Sequence, residues 1–61
     1  MLQLQNAINE YKKARLARAQ ATSQAAIIVT QNDLDYWYNE VNENTKRTKA
    51  HPNLVKELIN S

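Results

Sequence analysis

The side chains that most often do catalytic chemistry are few in this sequence, and their spacing does not suit catalysis. His51 is the single histidine, and a nucleophile–base pair would have to join it to Ser23 or Ser61. A proline follows His51 directly, which is typical of a helix start rather than of a catalytic loop. Neither pairing resembles a Ser–His–acid triad. We therefore predict no catalytic residues and expect a protein that is not an enzyme.

Metal and cofactor sites are also not indicated. Asp33 and Asp35 have the spacing that opens a calcium-binding loop, but the next ligand position is Trp37 and the chain contains no glycine for the turn. Glu40 and Glu43 lack the apolar neighbours that separate a catalytic acid from a base. There is no cysteine and no glycine-rich phosphate loop. We expect no metal and no cofactor.

A basic cluster supports one alternative function, nucleic-acid binding. Lys12, Arg15 and Arg18 recur on neighbouring turns of a predicted helix, and Lys46 and Arg47 form a second group. A row of cations can lie against phosphates. The net charge is only +2, whereas nucleic-acid-binding domains usually carry more, and acidic residues separate the two groups. A solvated helix face is the favoured explanation of the cluster.

Composition indicates the elements that must hold these residues. The chain has 61 residues, no glycine and one proline. Tight turns of β-sheet proteins usually require glycine, so we predict an all-α fold in one domain, residues 1–61. A core of this size contributes little stability, and without cysteine no disulfide can add to it. Unusually good helix packing or oligomerisation remains as the source of stability.

Apolar periodicity predicts a long first helix over residues 3–29. Ala7, Ala14, Ala21 and Ile28 recur every seven residues and mark one face of it. Arg18 falls inside this stripe, where we expect its stem to lie over alanines while its guanidinium reaches water.

Two further helices are predicted after it. A medium helix over residues 32–49 begins where Thr30 or Asn32 can cap it, at the point where the apolar stripe changes phase. A short helix over residues 52–60 begins at Pro52. A single helix over 3–49, or a β-hairpin of residues 25–30 and 35–38, are the alternatives. The phase change argues against the first, and the marginal stability of two strands argues against the second.

The expected fold is a small helical bundle with a thin core. Its large side chains would be Leu4, Ile8, Tyr11, Ile28, Leu34, Trp37, Tyr38, Val41, Leu54, Val55, Leu58 and Ile59.

The first helix is also apolar on its opposite side, at Leu2, Leu16 and Ile27. A helix with two apolar sides usually has two neighbours. We therefore predict self-association through these three residues, with Ala14 and Ala21 permitting close approach. The expected partners are copies of the same chain and a further protein, with nucleic acid as the alternative. No segment is long and apolar enough for a membrane span, so a cytoplasmic location is expected.

Overall fold

The computed structural model describes residues 2–61, with side chains from residue 3 onward. Three α-helices form this part of the chain: α1 is Leu2–Gln20, α2 is Gln24–Thr48 and α3 is Pro52–Asn60. The all-α prediction is confirmed. Residues 2–61 contain no strand, and the segments of the alternative hairpin lie inside α2.

The predicted boundary between the first two helices is wrong. The break lies at residues 21–23 rather than near residue 31. Ser23 is the N-cap of α2, with extended backbone (φ −94°, ψ 154°), and its Oγ accepts from the backbone N–H of Ala26 at 3.1 Å. Serine is among the best residues for this position. Thr30 and Asn32, the two expected caps, both lie inside α2, and Thr30 donates its hydroxyl to the Ala26 carbonyl at 2.7 Å, a bond that is made inside a helix.

The connection between α2 and α3 follows the prediction more closely. Lys49 ends α2 in the left-handed conformation (φ 56°, ψ 32°). Its N–H bonds the Lys46 carbonyl at 3.3 Å, and the Ala50 N–H bonds the Thr45 carbonyl at 3.2 Å. This is the Schellman arrangement, in which the last helical carbonyls find donors. Pro52 opens α3, as predicted.

Helices α1 and α2 form a hairpin that α3 partly covers. The Arg47 guanidinium donates to Gln3 Oε1 at 2.8 Å, and Arg18 Nε donates to Gln31 Oε1 at 3.1 Å, so α1 and α2 are antiparallel. After α2 the chain turns back, and α3 lies alongside α1. The Ile59 carbonyl of α3 accepts from Arg15 of α1 at 2.8 Å. The molecule measures 38 × 20 × 16 Å, and a 25-residue α2 accounts for the long dimension.

The core lies where all three helices meet. It consists of Leu4, Ala7, Ile8, Val41 and Val55, with Tyr11, Trp37, Ala50, Leu58 and Ile59 packed around it.

Three residues predicted for the core are instead exposed. Ile28 is 55% exposed, Tyr38 54% and Leu54 50%. Ile28 belongs to α2 rather than to the first helix, and α2 turns its side chain away from the core. The Tyr38 ring lies against that of Tyr11, with centroids 6.1 Å apart, but more than half of the residue remains exposed. Leu54 is half exposed on α3. Leu34 is half-buried.

Candidate association surface

The structure separates the residues from which a catalytic site would have to be built. Ser23 caps the start of α2, and His51 caps the start of α3, where its Nδ1 accepts from the Asn53 N–H at 3.2 Å. The 25-residue α2 lies between these caps. Ser61 lies at the opposite end of α3 from His51, and its Oγ accepts from Lys12 Nζ at 3.2 Å.

The acidic residues are likewise spread along α2. Asp33 and Asp35 lie inside the helix, and the first turn of α2 contains no acid. Asp35 Oδ1 accepts from Gln31 Nε2 at 3.1 Å, and Glu40 Oε1 accepts from the Tyr36 hydroxyl at 3.4 Å. Within residues 2–61 no group of three or more potential metal ligands comes together.

The basic residues of the predicted nucleic-acid face are brought to two places. Lys12 and Arg15 both contact the end of α3, at Ser61 Oγ and the Ile59 carbonyl. Arg18 is half-buried and bridges to α2 through Gln31, in place of the predicted solvated guanidinium. The other two, Lys46 and Arg47, lie in the last turn of α2, and Arg47 bonds α1 through Gln3.

The hairpin has one end that α3 does not cover. The last contacts of α3 are with Lys12 and Arg15, so the rest of α1 continues beyond it. We call this part the open end: residues 16–20 of α1, the connection 21–23, and residues 24–34 of α2. The Arg18–Gln31 hydrogen bond joins its two helices.

No large apolar side chain in the open end is buried. Leu16 is 60% exposed, Ile28 55% and Val29 59%, while Ile27 and Leu34 are half-buried. The hydrophobic core lies entirely at the other end, where α3 covers the hairpin. The open end therefore has the side chains of a core without a neighbour to cover them.

Four of these residues form one surface. Leu16 follows Lys12 by one helical turn and so continues the side of α1 that contacts α3. Ile27 and Leu34 are two turns apart on α2 and lie toward the groove between the helices, and helical spacing puts Ile28 beside them. We call Leu16, Ile27, Ile28 and Leu34 the association surface. Val29 lies on another side of α2.

The residues predicted for self-association are thus divided. Leu16 and Ile27 are brought together at the open end, and Ala21 is half-buried in the connection. Ala14 is only 8% exposed and faces α2, so other residues of the same chain cover it. The side chain of Leu2 lies outside the described residues.

Ile28 and Leu34 were not predicted as surface residues. Both are core residues in the sequence-based prediction, Ile28 on the first helix and Leu34 on the inward stripe of the second. For Ile28 the signal is Ser23, whose side chain marks the true start of α2, whereas Leu34 belongs to α2 in either case and is half-buried.

No family model matches the chain, and no curated protein or solved structure is significantly similar to it. Among the helices of residues 2–61, none combines the length and the apolar character required to cross a membrane.

Proposed function

We propose that this protein is a non-enzymatic interaction module that self-associates through the association surface at its open end. The observation that carries the proposal is the complete lack of buried large apolar side chains in that half of the hairpin. Exposed apolar surface that is clustered rather than scattered marks protein–protein contacts. A cytoplasmic location remains part of the proposal, to be checked by cell fractionation.

The need for a neighbour follows from the size of the core. Among residues 3–61 six apolar residues are buried, and two of them are alanines. Burial stabilises by roughly 25 cal/mol per Å², so small side chains contribute little. A 61-residue chain has few other residues with which to cover Leu16 and Ile28. Association would cover them and stabilise the folded chain by mass action.

Charge favours a second copy as the neighbour. After Glu10, the charged residues of α1 are all basic, and before Lys46 the charged residues of α2 are all acidic. Within the open end these charges are Arg18 on α1 and Asp33 on α2, and the other basic residues of α1 and acidic residues of α2 lie toward the covered end. A two-fold axis parallel to the helices would bring the basic helix of each copy to the acidic helix of its partner. Such complementarity sets orientation more than affinity.

Mass measurement in solution tests the proposal. Light scattering coupled to size-exclusion chromatography should give a mass above that of one chain at micromolar concentration. Leu16→Glu should return the protein to one chain while circular dichroism stays helical, because Leu16 is 60% exposed and contributes little to the protomer core.

The chain offers a matched control for this variant. Leu54 is 50% exposed but lies on α3, away from the open end. Leu54→Glu should therefore keep the assembled mass. A wild-type protein that stays monomeric and folded at these concentrations would refute self-association. Loss of assembly in both variants would show that the contact lies elsewhere.

A further inference from the structure

A second apolar feature lies at the covered end, where α3 rests on the hairpin. A cleft of about 240 Å³ opens there between the three helices. Its walls are mostly apolar and come from Tyr11, Tyr38, Val41, Thr45, Val55 and Ile59. Ligand pockets are typically concave and apolar with a few polar groups that fix orientation. This cleft has that character and is separate from the association surface.

The two tyrosines form an aromatic wall. The ring centroids of Tyr11 and Tyr38 are 6.1 Å apart and the rings are tilted by 46°. Aromatic rings pair favourably at such separations, and a third ring placed against them would gain the same kind of contact. Thr45 adds to the apolar lining, because its hydroxyl donates to the Val41 carbonyl at 2.7 Å and is thereby occupied.

Lys56 is the charged residue among those that line the cleft, and none of the lining residues is a carboxylate. Among residues 2–61 the ion pair found is Lys13–Glu10, so the Lys56 ammonium is not neutralised by an acid in the described part. An anionic group at the mouth of the cleft would therefore meet a positive charge.

We propose that the cleft binds a small aromatic carboxylate. The ring lies against Tyr11 and Tyr38, and the carboxylate pairs with Lys56. The volume sets the size of the ligand: a cavity of about 150 Å³ holds benzene. The cleft, at about 240 Å³, therefore has room for one ring and a short acidic side chain.

An NMR titration with phenylpropionate tests the proposal, and phenylpropanol is the matched neutral probe. Signals of Val41, Val55 and the two tyrosine rings should shift with both probes, and the carboxylate should bind more tightly. Lys56→Gln should weaken phenylpropionate binding about two- to fivefold, as expected for an exposed ion pair, and leave phenylpropanol unchanged. Lys46→Gln, which removes an exposed charge outside the cleft, should change neither.

A variant that fills the cleft makes the location testable. Thr45→Met places a longer apolar side chain in the space and should abolish binding of both probes while the protein stays helical. Unchanged binding in this variant, or no shifts at millimolar probe, would overturn the proposal. Leu16→Glu should still bind phenylpropionate, so a failure of self-association and a failure of the ligand site are distinguishable.

Discussion

Arg15 of α1 donates a hydrogen bond to the main-chain oxygen of Ile59 near the end of α3, at 2.8 Å. The same guanidinium lies 5.8 Å from the centre of the Tyr11 ring. Lys12, on the preceding turn, reaches Ser61. Cations at a helix C-terminus interact favourably with its unpaired carbonyls and its dipole. Two residues that the sequence suggests for phosphate binding are thus used to hold α3.

Arg15→Ala should loosen α3. Loss of a charge-assisted hydrogen bond at an exposed site should lower the free energy of unfolding by about 1 kcal/mol, measured by urea denaturation. Amide hydrogen exchange should become faster in α3 before it changes in α2. Lys13→Ala is the control, because its pair with Glu10 is exposed and should be worth less than about 0.5 kcal/mol. Equal effects of the two variants would contradict the role of Arg15.

Ser23→Ala tests the start of α2. Ser23 Oγ satisfies the backbone N–H of Ala26, so its loss should cost about 1 kcal/mol in thermal or urea unfolding. Asn32→Ala should cost nothing or stabilise slightly, since Asn32 is an exposed position inside the helix and alanine is the better helix former. The opposite ranking would restore a break near residue 31.

The starts of α2 and α3 show why one helix boundary was predictable and the other was not. Pro52 cannot lie inside a helix, and an apolar stripe at helical spacing follows it directly, so the start of α3 was clear from the sequence. Ser23 and Thr30 are both acceptable caps, and the apolar run between them fits either helix by spacing. Only packing decides between them: a break at residue 31 would have separated Arg18 from Gln31, which now join the helices.

The candidate surface was partly predictable for the same reason. Leu16 lies off the main apolar stripe, so its exposure follows from spacing alone. Ile27 also lies off that stripe but is half-buried, because it belongs to α2. Ile28 fits the heptad series of α1, and its position on α2 depends on three connecting residues whose geometry spacing does not determine. A single misplaced break therefore rotates every residue between 24 and 31 relative to its expected neighbours.

Lys49→Gly should stabilise the fold. Lys49 has φ 56°, a left-handed conformation that costs a residue with a side chain roughly 1–2 kcal/mol and costs glycine little. We expect a gain of about 1 kcal/mol in urea unfolding after allowance for the greater freedom of unfolded glycine. Lys46→Gly, one turn earlier and inside α2, should instead destabilise by about 1 kcal/mol. A loss in both variants would show that the Lys49 side chain contributes to packing.

Asn44→Leu should also stabilise. Asn44 is 5% exposed, its amide donates to the Glu40 carbonyl at 2.7 Å, and its Oδ1 has no partner among the described residues. A buried acceptor without a donor costs about 1–3 kcal/mol, and leucine removes that acceptor. Chemical denaturation should show a gain of about 1 kcal/mol, while Asn39→Leu at an exposed position should change stability by less than about 0.5 kcal/mol. Lower stability of Asn44→Leu would mean that Oδ1 is already hydrogen-bonded in solution.

Nucleic-acid binding, the alternative function, should be weak and unsaturable. Within the chain, hydrogen bonds already occupy Lys12, Arg15, Arg18 and Arg47. Moving them onto phosphates would break contacts that hold the helices together. The free energy gained from counterion release would therefore be offset by the free energy lost with those contacts. Fluorescence anisotropy with a labelled duplex should show no plateau even at about 50 mM salt, a concentration chosen because low salt favours binding. A plateau that weakens steeply as salt rises, together with a loss of affinity in Lys46→Ala, would instead establish a nucleic-acid face at the end of α2.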